Sequence, residues 1–374
     1  MKKILRKFIL YANVVFAVFL ILSFLSPNLS PEKIWFPAFL GLAYPYILLV
    51  NVFFLLGWTI LKRKELLISL LTIILGWGTF SDYISIHPFR IIKKGQYTNL
   101  VREQRKADHQ IKLVSFNVKL FDAGKWKENP TTRREILVFI RDEDPDIFCI
   151  QEFYSANLDG FRKSEVFRKL DHLAYRHIGY SEGNRKNGYG IATFSHYPII
   201  RTGRVPLQGS SICVYSDILM HQDTFRVYNC HLQSIYLDSE QYQILDSLKF
   251  RYDDQQIAEI KDISYRLRDA FIKRAGQADI ITDHISGCPH PVIICGDFND
   301  TPVSYTYRTI KDGMQDAFSS SGWGLGRTYN GEFPSFRIDY ILHSESIDAL
   351  FFSRKRISLS DHFPIIGYLK IKNE

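Results

Sequence analysis

Three long apolar stretches occupy the first ninety residues, and they constrain the fold before anything else does. Phe8 to Leu25 runs 18 residues with Asn13 as its strongly polar member, Trp35 to Leu61 runs 27, and Leu66 to Ile86 runs 21 with Asp82 near its end. As a helix, each is long enough to cross a hydrocarbon core of about 30 Å. Short charged loops between them argue against one buried helical core, and SFLSPNLS after the first stretch offers no A-x-A-like cleavage site. The pattern predicts three transmembrane helices within residues 1–90, with Pro37 and Pro45 in the second accommodated by its neighbours.

Charge divides along the same boundary. Residues 1–105 hold 13 Lys/Arg against 4 Asp/Glu, net +9, whereas residues 106–374 hold 34 against 35, net −1. The excess basicity therefore lies in the membrane part and says nothing for a nucleic-acid surface, which would need its positive patch on the soluble part. Lys2, Lys3, Arg6 and Lys7 precede the first helix, and Lys62, Arg63 and Lys64 lie between the second and third; the first loop carries only Glu32 and Lys33. By the positive-inside rule the amino terminus and second loop are cytoplasmic, and three crossings put the remainder outside, periplasmic in a cell with two membranes. Arg90, Lys93 and Lys94 after the third helix argue the other way.

Residues 91–110 are polar and basic without a clear period and suit a linker. From residue 111 to 374 strands and helices alternate at first: LVSFN, then helical spacing through Ile136, Phe139 and Ile140, then DIFCIQE after the Asp144-Pro145 break. Later strands near Gly190 to Ser195, Val214 to Leu219 and Thr224 to Cys230 follow one another directly, which predicts an α/β domain with a partly antiparallel sheet. Leu237 to Asp283 has helical period and both charges, including Arg266, Arg268, Lys273 and Arg274, as a solvated helix face would. Gly322 to Phe333 is Gly-rich but has no GxGxxG or GxxxxGK[ST] pattern, so it is a surface loop near the site. The five cysteines form no C-x-x-C pair and are odd in number, so neither a zinc site nor a disulfide framework is suggested; Cys149 and Cys295 sit in apolar runs as core residues.

The chemistry concentrates at strand ends. In PVIICGDFNDTP an all-apolar run, Val292 to Cys295, stops at Gly296 and delivers Asp297, Asn299 and Asp300 together. The same grammar recurs at Asn117, Glu152, His231, Asp339 and the Asp361-His362 pair. These are hard oxygen donors and imidazoles, the inventory for holding a divalent cation and moving protons.

The succession SFN, QE, NGYGIATFSHYPI, NCHLQS, GDFND, RIDYIL and SDHFPI resembles the endonuclease/exonuclease/phosphatase superfamily, the group of pancreatic-type deoxyribonuclease, neutral sphingomyelinases and inositol-polyphosphate phosphatases, over Lys106 to Glu374. The resemblance implies a four-layer α/β sandwich of two mixed sheets with the active site at one end. It implies Glu152 as the principal metal ligand, Asn117 and Asp361 beside it, and Mg2+ or Mn2+ as the cofactor. Asp297 would orient or deprotonate the attacking water, with Asn299 holding that aspartate or the phosphate. His362, backed by Asp339, would stabilise charge on the phosphoryl oxygens, and His231 would donate a proton near the leaving group. His231 occupies a place where the abasic-site endonuclease branch usually has tyrosine, so the chain looks less like a DNA-repair enzyme.

Together these features predict a membrane-anchored, metal-dependent phosphodiesterase or phosphatase whose partners are a phosphoester substrate and the bilayer. A phospholipid or small phosphodiester is favoured over long nucleic acid, because the soluble part is net −1 and the anchor keeps the site near headgroups. The rivals are an endonuclease acting on DNA or RNA, a catalytically inactive binding module of the same fold, and a transport or sensing protein. For the last of these, three helices with one Asn and a marginal Asp make a poor substrate path.

Overall fold

The computed structural model describes residues 2–86, 110–122, 131–154, 163–181, 188–235, 254–331 and 336–372. Most of the expected linker, with Arg90, Lys93 and Lys94, and residues 237–253 of the long helical region lie outside the described residues.

Two uninterrupted helices, α1 (Lys2–Ser23) and α2 (Phe36–Ile60), are long and apolar enough to span a membrane. The third stretch departs from expectation: it is a bent pair, α3 (Leu66–Leu75) and α4 (Trp77–Tyr83), at an angle of 69° across Gly76. Ten residues of α3 rise roughly 15 Å, half a hydrocarbon core, so the segment crosses only if the bent pair acts as one span. Side chains also show why the stretch does not end as a simple lipid-facing helix. Asp82 pairs with Lys311, and its carbonyl accepts from Arg337 Nη2 at 2.6 Å. The apolar run of α2 also holds a polar residue that the hydropathy reading leaves out: Asn51 is fully buried and joins Asn13 and Ser69 across the three helices.

Among the described residues twelve strands form two six-stranded mixed sheets. The central pairs, β1 (Gln110–Asn117) with β2 (Ile147–Tyr154) and β7 (Asp223–His231) with β8 (Val292–Asp297), are parallel, and their other neighbours are antiparallel. With β3 (Tyr175–Tyr180), β4 (Tyr189–Ser195), β5 (Ile199–Val205), β6 (Ile212–Met220), β9 (Met314–Asp316), β10 (Asp339–Ser344), β11 (Ile347–Arg354) and β12 (Ile365–Ile371), the orders are β11-β12-β1-β2-β4-β3 and β5-β6-β7-β8-β10-β9. Strand alternation explains the layering. Ile111 and Leu113 of β1 meet Ile293 and Cys295 of β8 between the sheets, while Val114 and Phe116 face Ile136 and Ile140 of the helix Thr132–Glu143. On the far side Val292 and Ile294 pack with Ala278 and Ile281 of the helix Asp254–Ser286. Helix, sheet, sheet and helix thus make the expected four layers, and Cys149 and Cys295 lie in the apolar core between the two sheets.

The α/β part sits directly against one end of the helical bundle. Val303 packs among Leu20, Tyr44 and Tyr83, and Phe39 of α2 meets Phe271 edge-on at 5.3 Å. Gly41 allows this approach: a Cβ there would lie 2.3 Å from the Val303 carbonyl oxygen. The opposite end of the bundle carries Arg6 paired with Glu65, beside the basic Lys62 to Lys64 loop.

Candidate active site

Strand register assembles the site. Asp297 is the last residue of β8, and it lies opposite His231, the last of β7, and opposite Asp339, the first of β10 (Asp339–Ser344). Three polar side chains thereby line up across one sheet edge. In the other sheet Asn117 ends β1 opposite Gln151, and Glu152 follows in a left-handed backbone conformation, φ 50°. The loop before β12 (Ile365–Ile371) brings Asp361 and His362 across the gap.

The buried half sets an imidazole between two carboxylates. His362 Nδ1 is 2.9 Å from Asp339 Oδ2, and its Nε2 is 3.6 Å from Asp297 Oδ2. Two carboxylates side by side repel, and burial penalises each charge, so burial with the Asp339 charge pushes Asp297 upward against the pull of His362 and His231. For His362 burial favours the neutral ring, but Asp339 and Asp297 outweigh it and push its pKa up to about 10. The imidazolium is the counter-charge that lets the two carboxylates coexist. Asp297 Oδ1 accepts from the Asn299 N–H at 2.8 Å, and Asn299 Nδ2 donates to the Leu232 carbonyl at 3.1 Å, so Asn299 fixes the aspartate and the β7 end together.

The open half is different in character. Glu152 and Asp361 keep 25 % and 23 % of their side-chain surface exposed, against 1 % for Asp297. Asn117 joins the halves, its Nδ2 donating to Glu152 Oε1 at 3.2 Å and to Asp297 Oδ2 at 3.0 Å. His231 Nε2 stands 3.7 Å from Glu152 Oε1 and 3.8 Å from Asp297 Oδ2, beyond hydrogen-bond reach of either. All eight residues singled out in the sequence therefore converge. Asp300 does not: it turns away to accept from Arg274 Nε at 3.1 Å and from Thr306 Oγ1 at 2.9 Å. This corrects the solvated reading of Arg274, which is 1 % exposed.

Several neighbours escaped sequence reasoning. Lys119 Nζ lies 2.8 Å from Asp361 Oδ2, carried by a left-handed turn, Lys119 to Asp122, that no sequence pattern announces. Tyr189 Oη is 3.4 Å from His231 Nδ1; it lies inside the NGYGIATFSHYPI segment, which could have pointed to it. Thr328 Oγ1 accepts from the Asp339 N–H at 3.0 Å, and Tyr329 bridges to His362 by backbone pairing. Beneath the site Gln151 Nε2 donates to Asn229 Oδ1 at 2.7 Å and so ties the two sheets.

Two donor sets could hold a cation. Asp297, Asp339 and His362 place one ligand atom each within 4.8 Å of one another, but the His362–Asp339 hydrogen bond already uses one nitrogen and one oxygen. Glu152 and Asp361 are oxygen donors open to solvent, an ammonium already pairs with Asp361, and Asn117 Oδ1 retains a lone pair beyond the one taken by the Lys119 N–H. Hard oxygens with room for water fit Mg2+ or Mn2+.

Comparison with known proteins agrees with this geometry. Residues 114–362 match the endonuclease/exonuclease/phosphatase family, and the chain belongs to it. That family is named for nucleases and phosphatases, enzymes that hydrolyse phosphoester bonds. Residues 6–83 match a domain of unknown function. A family protein from Bacteroides vulgatus shares the fold at TM-score 0.52 and 16 % identity, over 70 % of this chain and 99 % of that one. Another, from Beutenbergia cavernae DSM 12333, does so at TM-score 0.50 and 16 % identity, over 71 % of this chain and 72 % of that one. No curated protein matches the chain.

Proposed function

We propose that this protein is a membrane-anchored, divalent-metal-dependent phosphoester hydrolase, a phosphodiesterase acting on a phospholipid or another small phosphodiester. The observation that carries the reading is the pairing of a buried His362–Asp339–Asp297 relay with two half-open carboxylates, Glu152 and Asp361, joined by Asn117. Structural carboxylates are normally matched by fixed partners, whereas this arrangement keeps negative charge facing an opening, as binding of a cation and an anionic ester requires.

The roles follow from position. Asp297, pushed toward protonation by burial, accepts the proton of the attacking water, and Asn299 holds its other oxygen. His362, cationic at neutral pH and fixed in tautomer by Asp339, offsets charge growing on the phosphoryl oxygens. His231, oriented near Tyr189, donates the proton that the leaving oxygen needs. Glu152 and Asp361, with Asn117 beside them, would hold the cation, which supplies positive charge to the phosphoryl group when bound.

Two features support an extracytoplasmic catalytic domain on the inner membrane. The α/β domain, residues 111–374, contacts the bundle end that holds the α1–α2 loop, and the basic loops lie at the other end. Basic loops stay in the cytoplasm.

The test uses the full chain in detergent micelles with an aryl phosphodiester and an aryl phosphomonoester. Hydrolysis is expected with Mg2+ or Mn2+ and is expected to vanish on chelation, and Glu152→Gln should lower the rate at least about 10²-fold. A folded wild type that leaves every phosphoester intact with metal present would replace this reading with that of an inactive binding module.

A further inference from the structure

The loop Gly322 to Asn330 connects the membrane part to the site, and its side chains are graded along that path. At its start Ser85, two residues past α4, exchanges backbone hydrogen bonds with Gly324 at 3.0 and 2.8 Å, and Ser85 Oγ donates to the Gly322 carbonyl at 3.0 Å. At its end Thr328 holds the Asp339 N–H, Tyr329 pairs with His362, and the Asn330 N–H reaches the Asp361 carbonyl at 2.6 Å. Between these two attachments stand Trp323, 54 % exposed, and Leu325, 57 % exposed, followed by Arg327. Gly324 and Gly326, both at positive φ, form the turns that let two large apolar side chains point outward in succession.

An exposed Trp and Leu two residues apart are unusual on a soluble surface, and here they adjoin the last membrane-embedded helix, next to exposed Ile86. The four residue steps from Leu325 to Tyr329 span at most about 14 Å, so the site lies close to wherever that pair is seated. Basic residues complete the pattern. Arg327 and Arg354 lie 5.9 and 5.4 Å over the Phe363 ring, beside His362, and Arg356 adds a third guanidinium. Burial, then repulsion from Arg356 and Arg327, push Arg354 down to about 10, the mark of cations gathered close together, and among the described residues none of the three forms an ion pair with a carboxylate. Apolar tip, guanidinium shelf and active site follow one another from bundle to chemistry, the order in which acyl chains, phosphate and scissile bond would meet a protein standing on a bilayer.

We propose that Trp323 and Leu325 seat in the bilayer interface while Arg327, Arg354 and Arg356 take the phosphate of an anionic lipid headgroup, so that the enzyme draws a membrane lipid phosphoester sideways from the leaflet. The substrate part rests on the hydrolase reading above; the seating does not. Full-length protein is placed in nanodiscs of phosphatidylcholine with or without about one-third phosphatidylglycerol, using lipids brominated high on the acyl chain. The emission lost on Trp323→Phe isolates Trp323, and it is expected to be strongly quenched by the brominated lipid; an unquenched Trp323 overturns the seating whether or not any ester is cleaved. In vesicles of the same two lipids, Trp323→Ser with Leu325→Ser is expected to lower kcat/KM on phosphatidylglycerol about tenfold, the loss of roughly half of one large side chain's burial, and to leave the soluble aryl ester within about twofold. Arg327→Gln is expected to remove the preference for phosphatidylglycerol over phosphatidylcholine. Equal losses on lipid and soluble ester, or a wild type that cleaves the soluble ester but neither lipid, sink the proposal. Inactivity on every ester overturns the hydrolase reading and the substrate part with it, leaving the quenching to decide the seat.

Discussion

Two of the buried polar clusters among the described residues, one in the helical bundle and one at the sheet ends, are built on opposite principles. In the bundle Asn13 Nδ2 donates to Ser69 Oγ at 2.7 Å, Trp58 Nε1 to Asn13 Oδ1 at 3.0 Å, and Ser69 Oγ to Asn51 Oδ1 at 3.2 Å. Asn51 Nδ2 then closes on the Phe16 and Ile47 carbonyls at 3.0 and 2.9 Å. Every member is neutral and every donor has an acceptor, so the cluster fixes helix register and asks for nothing further. At the sheet ends Asp297 and Asp339 are paired opposite each other, with Glu152 and Asp361 nearby, and their cationic partners are His362 and Lys119. The contrast gives a working criterion. A saturated neutral cluster is glue, and a charged cluster that opens to solvent is chemistry.

The largest expected effect breaks the charged cluster. Asp297→Asn keeps shape but cannot accept a proton, and His362→Ala removes the cation between two carboxylates; each should lower hydrolysis at least about 10²-fold, measured as kcat/KM on an aryl phosphodiester. Circular dichroism should remain that of a folded protein, because Asp297 is the last residue of its strand and its backbone pairing is untouched. Activity within a few fold of wild type in Asp297→Asn would remove the relay from the mechanism.

A smaller effect is expected in the neutral cluster. Asn51→Leu leaves the Ser69 hydroxyl without its acceptor in an apolar bundle, a loss of about 0.6–2 kcal/mol on the scale of intramembrane hydrogen bonds. Reversible unfolding in mixed micelles should report that loss, with hydrolysis of the soluble ester unchanged. A hundredfold drop in activity instead would show the bundle cluster to be part of the chemistry and would erase the distinction.

The two clusters were not equally legible in the sequence. Apolar strand runs end abruptly, so Asn117, Glu152, His231, Asp297, Asp339 and the Asp361-His362 pair announced themselves as residues set at strand ends, and the family resemblance supplied their roles. Register was invisible, so nothing foretold that Asp297 and Asp339 would lie directly opposite, or that Lys119 would reach Asp361. Hydropathy counts apolar residues without seeing their partners. It therefore overlooked Asn51 inside α2, and it read residues 66–86 as one straight helix although Gly76 bends it and Asp82 is claimed by Lys311, far along the chain. Arg274 was misread for the same reason, since helical period places it but only the fold supplies Asp300.

The smallest expected effect is on pH, and it sharpens the comparison because the bundle cluster has nothing to titrate. His343 is fully buried with its Nε2 unpartnered, and burial lowers its pKa; burial likewise lowers that of His177, whose Nδ1 is 3.1 Å from Ser216 Oγ. Below the ordinary imidazole value of about 6.5 the unfolded chain binds protons that these folded histidines refuse, so their stabilising contribution is complete above that value and is lost as pH falls beneath it. His362 has the opposite sign, raised to about 10: its contribution is complete below 6.5 and is lost as pH rises through 10, so it adds no slope in the acid window. The α/β domain should therefore unfold at lower temperature at pH 5.5 than at pH 6.5, below the range in which the His362 contribution is lost. His343→Gln should flatten that dependence even if it lowers stability at both values. Calorimetry on the full chain would separate the two regions, with the α/β transition moving with pH and the bundle transition staying in place. A bundle transition that shifts in parallel would mean that the two regions unfold as one cooperative unit, joined through Val303, Gly41 and the Asp82–Lys311 pair.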